Sequence, residues 1–284
     1  MLLSLAREIN NMFKKLFLFA LLTLSIANAV TLIEPIQAQT GDAPVDLGVI
    51  GPGQTIALKF SRDTGALAAI NPDTGKNALW DKASVIKSTL PQGWGGKDSL
   101  KYETPLTVYV TVSSEAVSKE YMFSVGFEDE YEGTPNYIAN FKINVDSNVF
   151  DAQLESKTAT AGVNQPAIYK LKVKSTGQAS DTFVITATGL PYDWQFSKTF
   201  FLPYGQEKDV YFEVIGNIQK EVPFKIKVTS ISSDKITKTL DAQVITTVDL
   251  IRDAQSTTLG LPLFPSAEQH LYALIGLVAN LLVR

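Results

Sequence analysis

The side chains that most often carry out chemistry are scarce in this sequence. Its 284 residues include no cysteine and a single histidine, His270. Disulfides, thiolate metal sites and metal sites built from several histidines are therefore excluded, and a serine–histidine–aspartate arrangement has only one candidate base. No acidic pair is accompanied by a recognisable nucleophile. We expect a protein that is not an enzyme and that uses no cofactor.

The densest group of carboxylates is the segment Glu128-Asp-Glu-Tyr-Glu132. Several carboxylate oxygens close together suit Ca²⁺, which prefers many oxygen ligands. The segment Gly133-Thr-Pro-Asn136 follows at once, and its composition is typical of a solvated hairpin turn. Both interpretations stay open, and the turn is favoured.

Two tryptophans lie in a repeated motif that suits either stacking or packing. Leu90-Pro91-x-x-Trp94 recurs 100 residues later as Leu190-Pro191-x-x-Trp194. An exposed indole stacks on sugar rings, whereas a buried one fills a core. We favour the core for both tryptophans, because duplication preserves packing more readily than it preserves an exposed contact.

A third candidate for binding is the segment 62–82, which has no counterpart in the second half of the chain. It contains the turn motif Asn71-Pro-Asp73-x-Gly75, followed by Trp80. Long loops on a rigid scaffold often carry recognition. We predict that Asn71, Asp73 and Trp80 contact a partner or a glycan. The alternative is a loop that packs Trp80 against its own domain.

Four segments of the first half of the chain recur in the same order in the second half. Three of the four pairs are separated by 100 to 102 residues and the fourth by 112, and segment 62–82 accounts for the difference. The pairs are Leu90–Trp94 with Leu190–Trp194, Thr107–Val112 with Asp209–Val214, Lys119–Val125 with Lys220–Ile226, and Thr55–Phe60 with Ala167–Val173. The order indicates a duplicated domain.

Within each copy, apolar residues alternate with polar ones in short segments that are rich in β-branched and aromatic side chains. Val210, Phe212 and Val214 are one such set. Alternation of this kind predicts half-buried strands, and the size of each copy matches an Ig-like domain. We predict an all-β protein of two tandem Ig-like β-sandwiches, the first at 43–147 with insertion 62–82 and the second at 150–248.

The second copy also carries motifs of a known family. They are Thr158-Ala-Thr-Ala-Gly162, the strand Tyr169–Val173 before the turn Thr176-Gly177, Pro191-x-x-Trp194, and Val210–Val214 after the turn Tyr204-Gly205. This stretch resembles the Ig-like domain found beside carbohydrate-binding modules in alpha-galactosidases and in archaeal and bacterial surface proteins, which is related to bacterial cell-adhesion-related domains. The first copy keeps the turn Gly51-Pro-Gly53 and departs at 62–82. The resemblance implies an Ig-like fold and no catalytic residues.

Apolar segments lie near both ends of the chain. Two lysines, Lys14 and Lys15, precede the apolar run 16–26, and Ala27-Asn-Ala29 follows. This is the order of a secretory signal peptide, so we predict that 1–29 is removed on export.

Near the other end, residues 249–266 are predicted to be a linker and 267–284 an apolar helix. The uncharged part of the predicted helix would be only about 20 Å long, less than the ~30 Å of a bilayer core. The helix is therefore a short membrane anchor, a helix that binds a partner, or one that folds back on the sandwiches.

The formal net charge of −4 gives no electrostatic reason to expect nucleic-acid binding. We predict a non-enzymatic, exported cell-surface protein with a structural or adhesive role. Residues 267–284 would retain it at the envelope through the membrane or a partner helix. The expected partners are envelope proteins or surface glycans, and the alternative function is a carbohydrate-binding accessory module.

Overall fold

The computed structural model describes residues 30–67, 77–131, 133–134 and 136–248. The predicted signal peptide, linker and apolar helix lie outside the described residues, as do Asn71, Asp73 and His270. Regular structure in the described ranges is β-strand, apart from two 3-10 helices at Lys87–Thr89 and Tyr192–Trp194.

The first sandwich consists of two sheets with a separate hairpin. One sheet has the strand order β2-β1-β4-β9-β8, the other has the order β3-β11-β10-β7, and β5 pairs with β6 in the hairpin. The strands are β1 Thr31–Glu34, β2 Ala38–Gln39, β3 Val45–Ile50, β4 Thr55–Phe60, β5 Asp63–Leu67, β6 Asn77–Leu79, β7 Lys82–Val85, β8 Gly95–Lys97, β9 Leu106–Thr111, β10 Lys119–Glu128 and β11 Tyr137–Val145.

The second sandwich also has two sheets, with the orders β12-β14-β17 and β13-β19-β18-β15-β16. Its strands are β12 Phe150–Leu154, β13 Thr158–Gly162, β14 Pro166–Ser175, β15 Asp181–Thr188, β16 Ser197–Leu202, β17 Glu207–Ile215, β18 Lys220–Ser230 and β19 Thr237–Thr247.

The strand topology is that of an immunoglobulin-like sandwich in both copies. In the first, β1, β4, β9 and β8 share one sheet, while β7, β10 and β11 share the other, as in the constant-type arrangement. Each copy also pairs an early strand in parallel with its last strand, β3 with β11 and β13 with β19. The prediction of two tandem Ig-like β-sandwiches is therefore confirmed.

Alternation along the strands decides which side chains enter the cores. On β17, Val210, Phe212 and Val214 are buried while the residues between them are exposed. The register of β17 against β14 then places opposite charges beside each other on the outer face, Lys172 opposite Asp209 and Lys174 opposite Glu207. Such cross-strand pairs favour one register over its neighbours.

The four repeated segments occupy equivalent places in the two sandwiches. Thr55–Phe60 forms β4 and pairs with β9, which contains most of Thr107–Val112. Ala167–Val173 lies in β14 and pairs with β17, which contains Asp209–Val214. Lys119–Val125 begins β10 in one copy and Lys220–Ile226 begins β18 in the other. Both Pro-x-x-Trp motifs form a turn closed by the tryptophan N–H and the proline carbonyl, at 3.1 Å for Trp94 and 3.0 Å for Trp194.

The first sandwich begins earlier than the predicted residue 43. Val30 and Leu32 are fully buried in its core, and β1 pairs with β4. Residues 30–34 alternate over only five positions before Pro35, which is a weak sequence signal for a strand. Segment 62–82 also differs from the predicted loop, since its ends form β5 and β6 and Lys82 begins β7.

Two lysines join the sheets along one side of the second sandwich. Lys198 on β16 donates a hydrogen bond to the carbonyl of Tyr211 on β17. Lys208 on β17 donates to the carbonyl of Phe201 on β16, at 3.1 Å. Both strands are edge strands of their sheets, so the two ammonium groups connect the two edges.

The tryptophan of the second Pro-x-x-Trp motif, Trp194, allows a test of the packing of the second core. Trp194→Ala should lower the free energy of unfolding by about 3–5 kcal/mol, because it removes a buried indole and leaves a cavity. Denaturant unfolding of the purified protein measures the change. Tyr192→Ala is the matched control, since Tyr192 lies in the same turn at 87% exposure and its loss should cost less than about 0.5 kcal/mol. Equal effects of the two substitutions would contradict the core position of Trp194.

Candidate functional site

Trp80 is buried in the core of the first sandwich. Its exposure is 0%, and its ring lies 5.9 Å from that of Phe127 and 6.4 Å from that of Tyr137. The prediction that Trp80 contacts a glycan or partner is therefore wrong, because no face of the indole reaches solvent. The alternative of packing against its own domain holds. Asn71 and Asp73, the other two predicted contact residues, lie outside the described residues.

The base of the hairpin β5–β6 is held by a nearly buried ion pair. A guanidinium nitrogen of Arg62 lies 2.9 Å from Asp81 Oδ1, and the Arg62 Nε donates to the Trp80 carbonyl at 2.8 Å. The other oxygen of Asp81 accepts the backbone N–H of Glu130 at 2.9 Å. Asp81 is 3% exposed, so the hairpin base and the β10–β11 turn share one fixed carboxylate.

Beside this ion pair lies an exposed pair of aromatic side chains, Tyr102 and Tyr131, which we call the tyrosine patch. The two tyrosine rings are stacked at 6.4 Å and 28°. Tyr102 has a positive φ of 61°, and its backbone N–H is held by the Asp81 carbonyl at 2.8 Å. A bulky residue in this conformation needs such support. The two side chains are 45% and 62% exposed.

Charged groups surround the tyrosine patch. Lys101 pairs with Glu130, and the hydrogen bond from its ammonium group holds the pKa of Glu130 below its usual value. The Tyr102 hydroxyl donates to the other oxygen of Glu130 at 3.2 Å. The Arg62 guanidinium lies 5.8 Å from the Tyr102 ring. The patch thus presents aromatic surface with fixed charges around it, as protein contact sites often do.

The carboxylate run 128–132 organises a turn in the described residues. Asp129 accepts the backbone N–H groups of Tyr131 and Thr134, at 2.9 and 2.7 Å, while Glu130 is engaged with Lys101. Across the described ranges, no group of three or more histidine, cysteine, aspartate or glutamate side chains is close enough to hold a metal ion. These contacts favour the turn interpretation of the run.

The two sandwiches meet at a buried carboxylate, which we call the joint. Asp181, the first residue of β15, is 6% exposed and accepts four hydrogen bonds. Three come from its own sandwich: Ser230 Oγ at 2.6 Å, Ser232 Oγ at 2.8 Å and the Thr182 N–H at 2.7 Å. The fourth comes from the first sandwich, where Gln54 Nε2 donates at 2.7 Å. Gln54 is 2% exposed.

Close backbone contacts continue the joint on both sides of this carboxylate. The Gln178 N–H donates to the Val49 carbonyl across the two sandwiches at 2.8 Å, and Ala179 packs in the core of the first sandwich. Gly53 has φ +73°, and a Cβ there would lie 2.0 Å from the Ser232 carbonyl oxygen. Only glycine allows the loops to approach this closely.

The two repeated tryptophans have different surroundings. Trp194 is 2% exposed in the second core, as expected. Trp94 only packs against the edge of the first core and is half-buried. The sequence motif is the same in both copies, so it does not distinguish these two environments.

No protein-family model matches the chain, and no curated protein matches it. Among solved structures, a chimeric titin Z1Z2 carrying a decorin peptide is 13% identical, covering 78% of this chain and 99% of its own, with a TM-score of 0.35. The fibronectin(III)-like modules of Clostridium thermocellum CbhA are 10% identical over 77% of this chain and 94% of their own, with a TM-score of 0.25. A β-glucosidase from Listeria innocua is 13% identical over 36% of this chain and 16% of the enzyme, with a TM-score of 0.26. The immunoglobulin-like assignment therefore rests on the strand topology.

Within the described ranges, no helix has the length and apolar composition required to cross a membrane.

The joint gives a second test. Asp181→Asn should lower the free energy of unfolding by at least about 2 kcal/mol, because an amide nitrogen replaces an acceptor that faces buried donors. Gln54→Ala should cost about 1–3 kcal/mol and should separate the unfolding of the two sandwiches into two transitions. Differential scanning calorimetry measures both effects. Asp241→Asn is the control, since this exposed residue pairs only with Lys225 at the surface. A Gln54→Ala protein that unfolds like the wild type would show that the joint does not couple the sandwiches.

Proposed function

We propose that this chain is a non-enzymatic, exported cell-surface protein whose two sandwiches act as one stiff structural or adhesive unit. The observation that carries the proposal is the joint. Domains in one chain usually move relative to each other unless their interface is extensive. Here a buried carboxylate takes donors from both sandwiches, and only residues 146–149 separate β11 from β12. A stiff pair of sandwiches suits a protein that transmits force or holds a partner at a distance.

The start of the fold is compatible with removal of residues 1–29 on export. Strand β1 begins at Thr31, and the Val30 N–H is held by the Thr40 hydroxyl at 3.0 Å. Cleavage after Ala29 would therefore leave every described strand intact. The absence of cysteine requires both sandwiches to be stabilised by their cores, which contain Trp80 and Trp194 among their large buried side chains.

Retention at the envelope is proposed to depend on residues 267–284, through the membrane or a partner helix. An apolar helix that follows a linker must bury its apolar face in a lipid or protein environment. The proposed contact surface is the tyrosine patch, together with Asn71 and Asp73. Its partner would be an envelope protein or a surface glycan.

Cell fractionation tests export and retention. The full chain should be found in the envelope fraction and be accessible to external protease. A chain truncated after residue 266 should be released to the medium, and Leu18→Arg should hold the protein inside the cell, because a charge interrupts the apolar run of the signal peptide. Full-length protein in the cytosol, or a truncated chain that stays with the envelope, would contradict the proposal.

Binding of purified protein to intact cells that lack it tests the contact surface. Tyr131→Ser should reduce binding about tenfold, which corresponds to about 1.4 kcal/mol and is within the range of an interface anchor. Tyr109→Ser is the matched control, because Tyr109 is a 39% exposed tyrosine on β9, away from the patch. Equal binding by the two variants would remove the tyrosine patch from the proposed surface.

A further inference from the structure

The two Pro-x-x-Trp turns are closed by the same backbone hydrogen bond. The space beside the turn is filled by the indole in the second sandwich, whereas in the first it is an open groove. In each sandwich the turn faces the loop that joins two consecutive strands, β9 to β10 or β17 to β18. The difference between the copies therefore arises from side chains that the duplication has not preserved.

In the second sandwich, the indole of Trp194 occupies this space completely. A Cβ at Gly216 would lie 2.8 Å from the Trp194 ring, so glycine is required beneath it. The Trp194 Nε1 donates to Asn217 Oδ1 at 2.8 Å. Trp194 is therefore buried, its indole N–H has a hydrogen-bond acceptor, and its role is structural.

In the first sandwich, the equivalent loop carries Glu115 and Ala116, and the indole packs elsewhere. Trp94 lies against Tyr121, with ring centroids 5.1 Å apart and planes at 49°. No described group accepts a hydrogen bond from the Trp94 indole N–H. A groove of about 570 Å³ opens beside the two rings, with Val117 at its edge. This volume lies within the usual range for small-molecule sites.

Polar groups of both signs line the groove around the rings. The Gln92 amide both donates and accepts hydrogen bonds, Lys119 donates only, and Glu115 accepts only. All three contribute to the groove. The Lys119 ammonium lies 4.8 Å from the centre of the Tyr121 ring. Glu115 is 84% exposed on its side chain and is 3.1 Å from Lys235 of the second sandwich.

We propose that this groove binds an uncharged hexose residue of a glycan. A hexose has an apolar ring face that suits a partly exposed indole and hydroxyls that both donate and accept, which matches the mixed rim. Glu115 and Lys235 neutralise each other and the Lys119 ammonium lies over the Tyr121 ring, so the rim holds one cation rather than the cluster that would favour an anionic ligand. A proline-rich peptide also docks in aromatic grooves, and it is therefore the competing ligand class in the test below. The site goes beyond the structural role proposed above and does not depend on it.

Tryptophan fluorescence of the full chain tests the site directly. Two of the three tryptophans, Trp80 and Trp194, are buried, so Trp94 should report binding. The probes are short uncharged oligosaccharides of glucose, galactose and mannose, with a proline-rich peptide as the competing class. At least one oligosaccharide should shift the emission in a saturable way, and calorimetry should confirm the affinity.

Matched variants locate the site. Trp94→Leu keeps apolar volume at the edge of the core and should weaken binding at least about tenfold. A Gln92→Ala, Lys119→Ala double variant keeps both rings and should also weaken binding, and it decides the matter if Trp94→Leu folds poorly. Tyr192→Leu alters an exposed aromatic in the equivalent turn and should bind like the wild type.

The proposal is overturned if no oligosaccharide binds the wild type, if only the proline-rich peptide binds, or if the double variant binds sugar as tightly as the wild type. Any of these results leaves the joint and the envelope proposal untouched, because those are tested by calorimetry and fractionation.

Discussion

The carboxylate of Asp181 is the constraint around which the two sandwiches are arranged. A buried charge is tolerated only when hydrogen bonds replace its lost hydration, and this one takes four, one of them from Gln54 of the other sandwich. Gln54 in turn accepts the Gly51 N–H at 2.8 Å, which fixes the β3–β4 turn. Moving either sandwich away would expose unpaired polar groups on both sides. The relative position of the two copies is therefore set by polar geometry as well as by apolar contact.

The two sandwiches share a similar framework and differ at their edges. The strands that carry the repeated segments are equivalent in the two copies, and so are the turns at Trp94 and Trp194. The loop facing each turn is not, since Gly216 and Asn217 enclose one indole while the first copy leaves the other beside a groove. Substitutions on the strands are limited by core packing. Substitutions in the facing loops are tolerated more readily, because loop side chains contribute little to that packing.

Much of the framework was predictable from the sequence, because strand alternation and repeat order are local signals. Val210, Phe212 and Val214 are buried as their spacing predicts. The burial of Trp80 was not predictable, since it depends on contacts with Phe127 and Tyr137 from distant strands. Nor was the joint, because Gln54 and Asp181 are 127 residues apart and neither lies in a recognisable motif. The open groove at Trp94 was not predictable either, because the Pro-x-x-Trp motif is the same in both copies although the surroundings of the two tryptophans differ.

The lysines that connect β16 and β17 also change what these two edge strands offer to another chain. An edge strand exposes carbonyl groups to which a neighbouring chain can add a strand of its own. Lys198 and Lys208 already occupy the carbonyls of Tyr211 and Phe201, and a foreign strand would have to displace two hydrated charges to pair there. Edge-to-edge pairing with another chain is therefore disfavoured along this side of the second sandwich, next to the exposed side chain of Phe201.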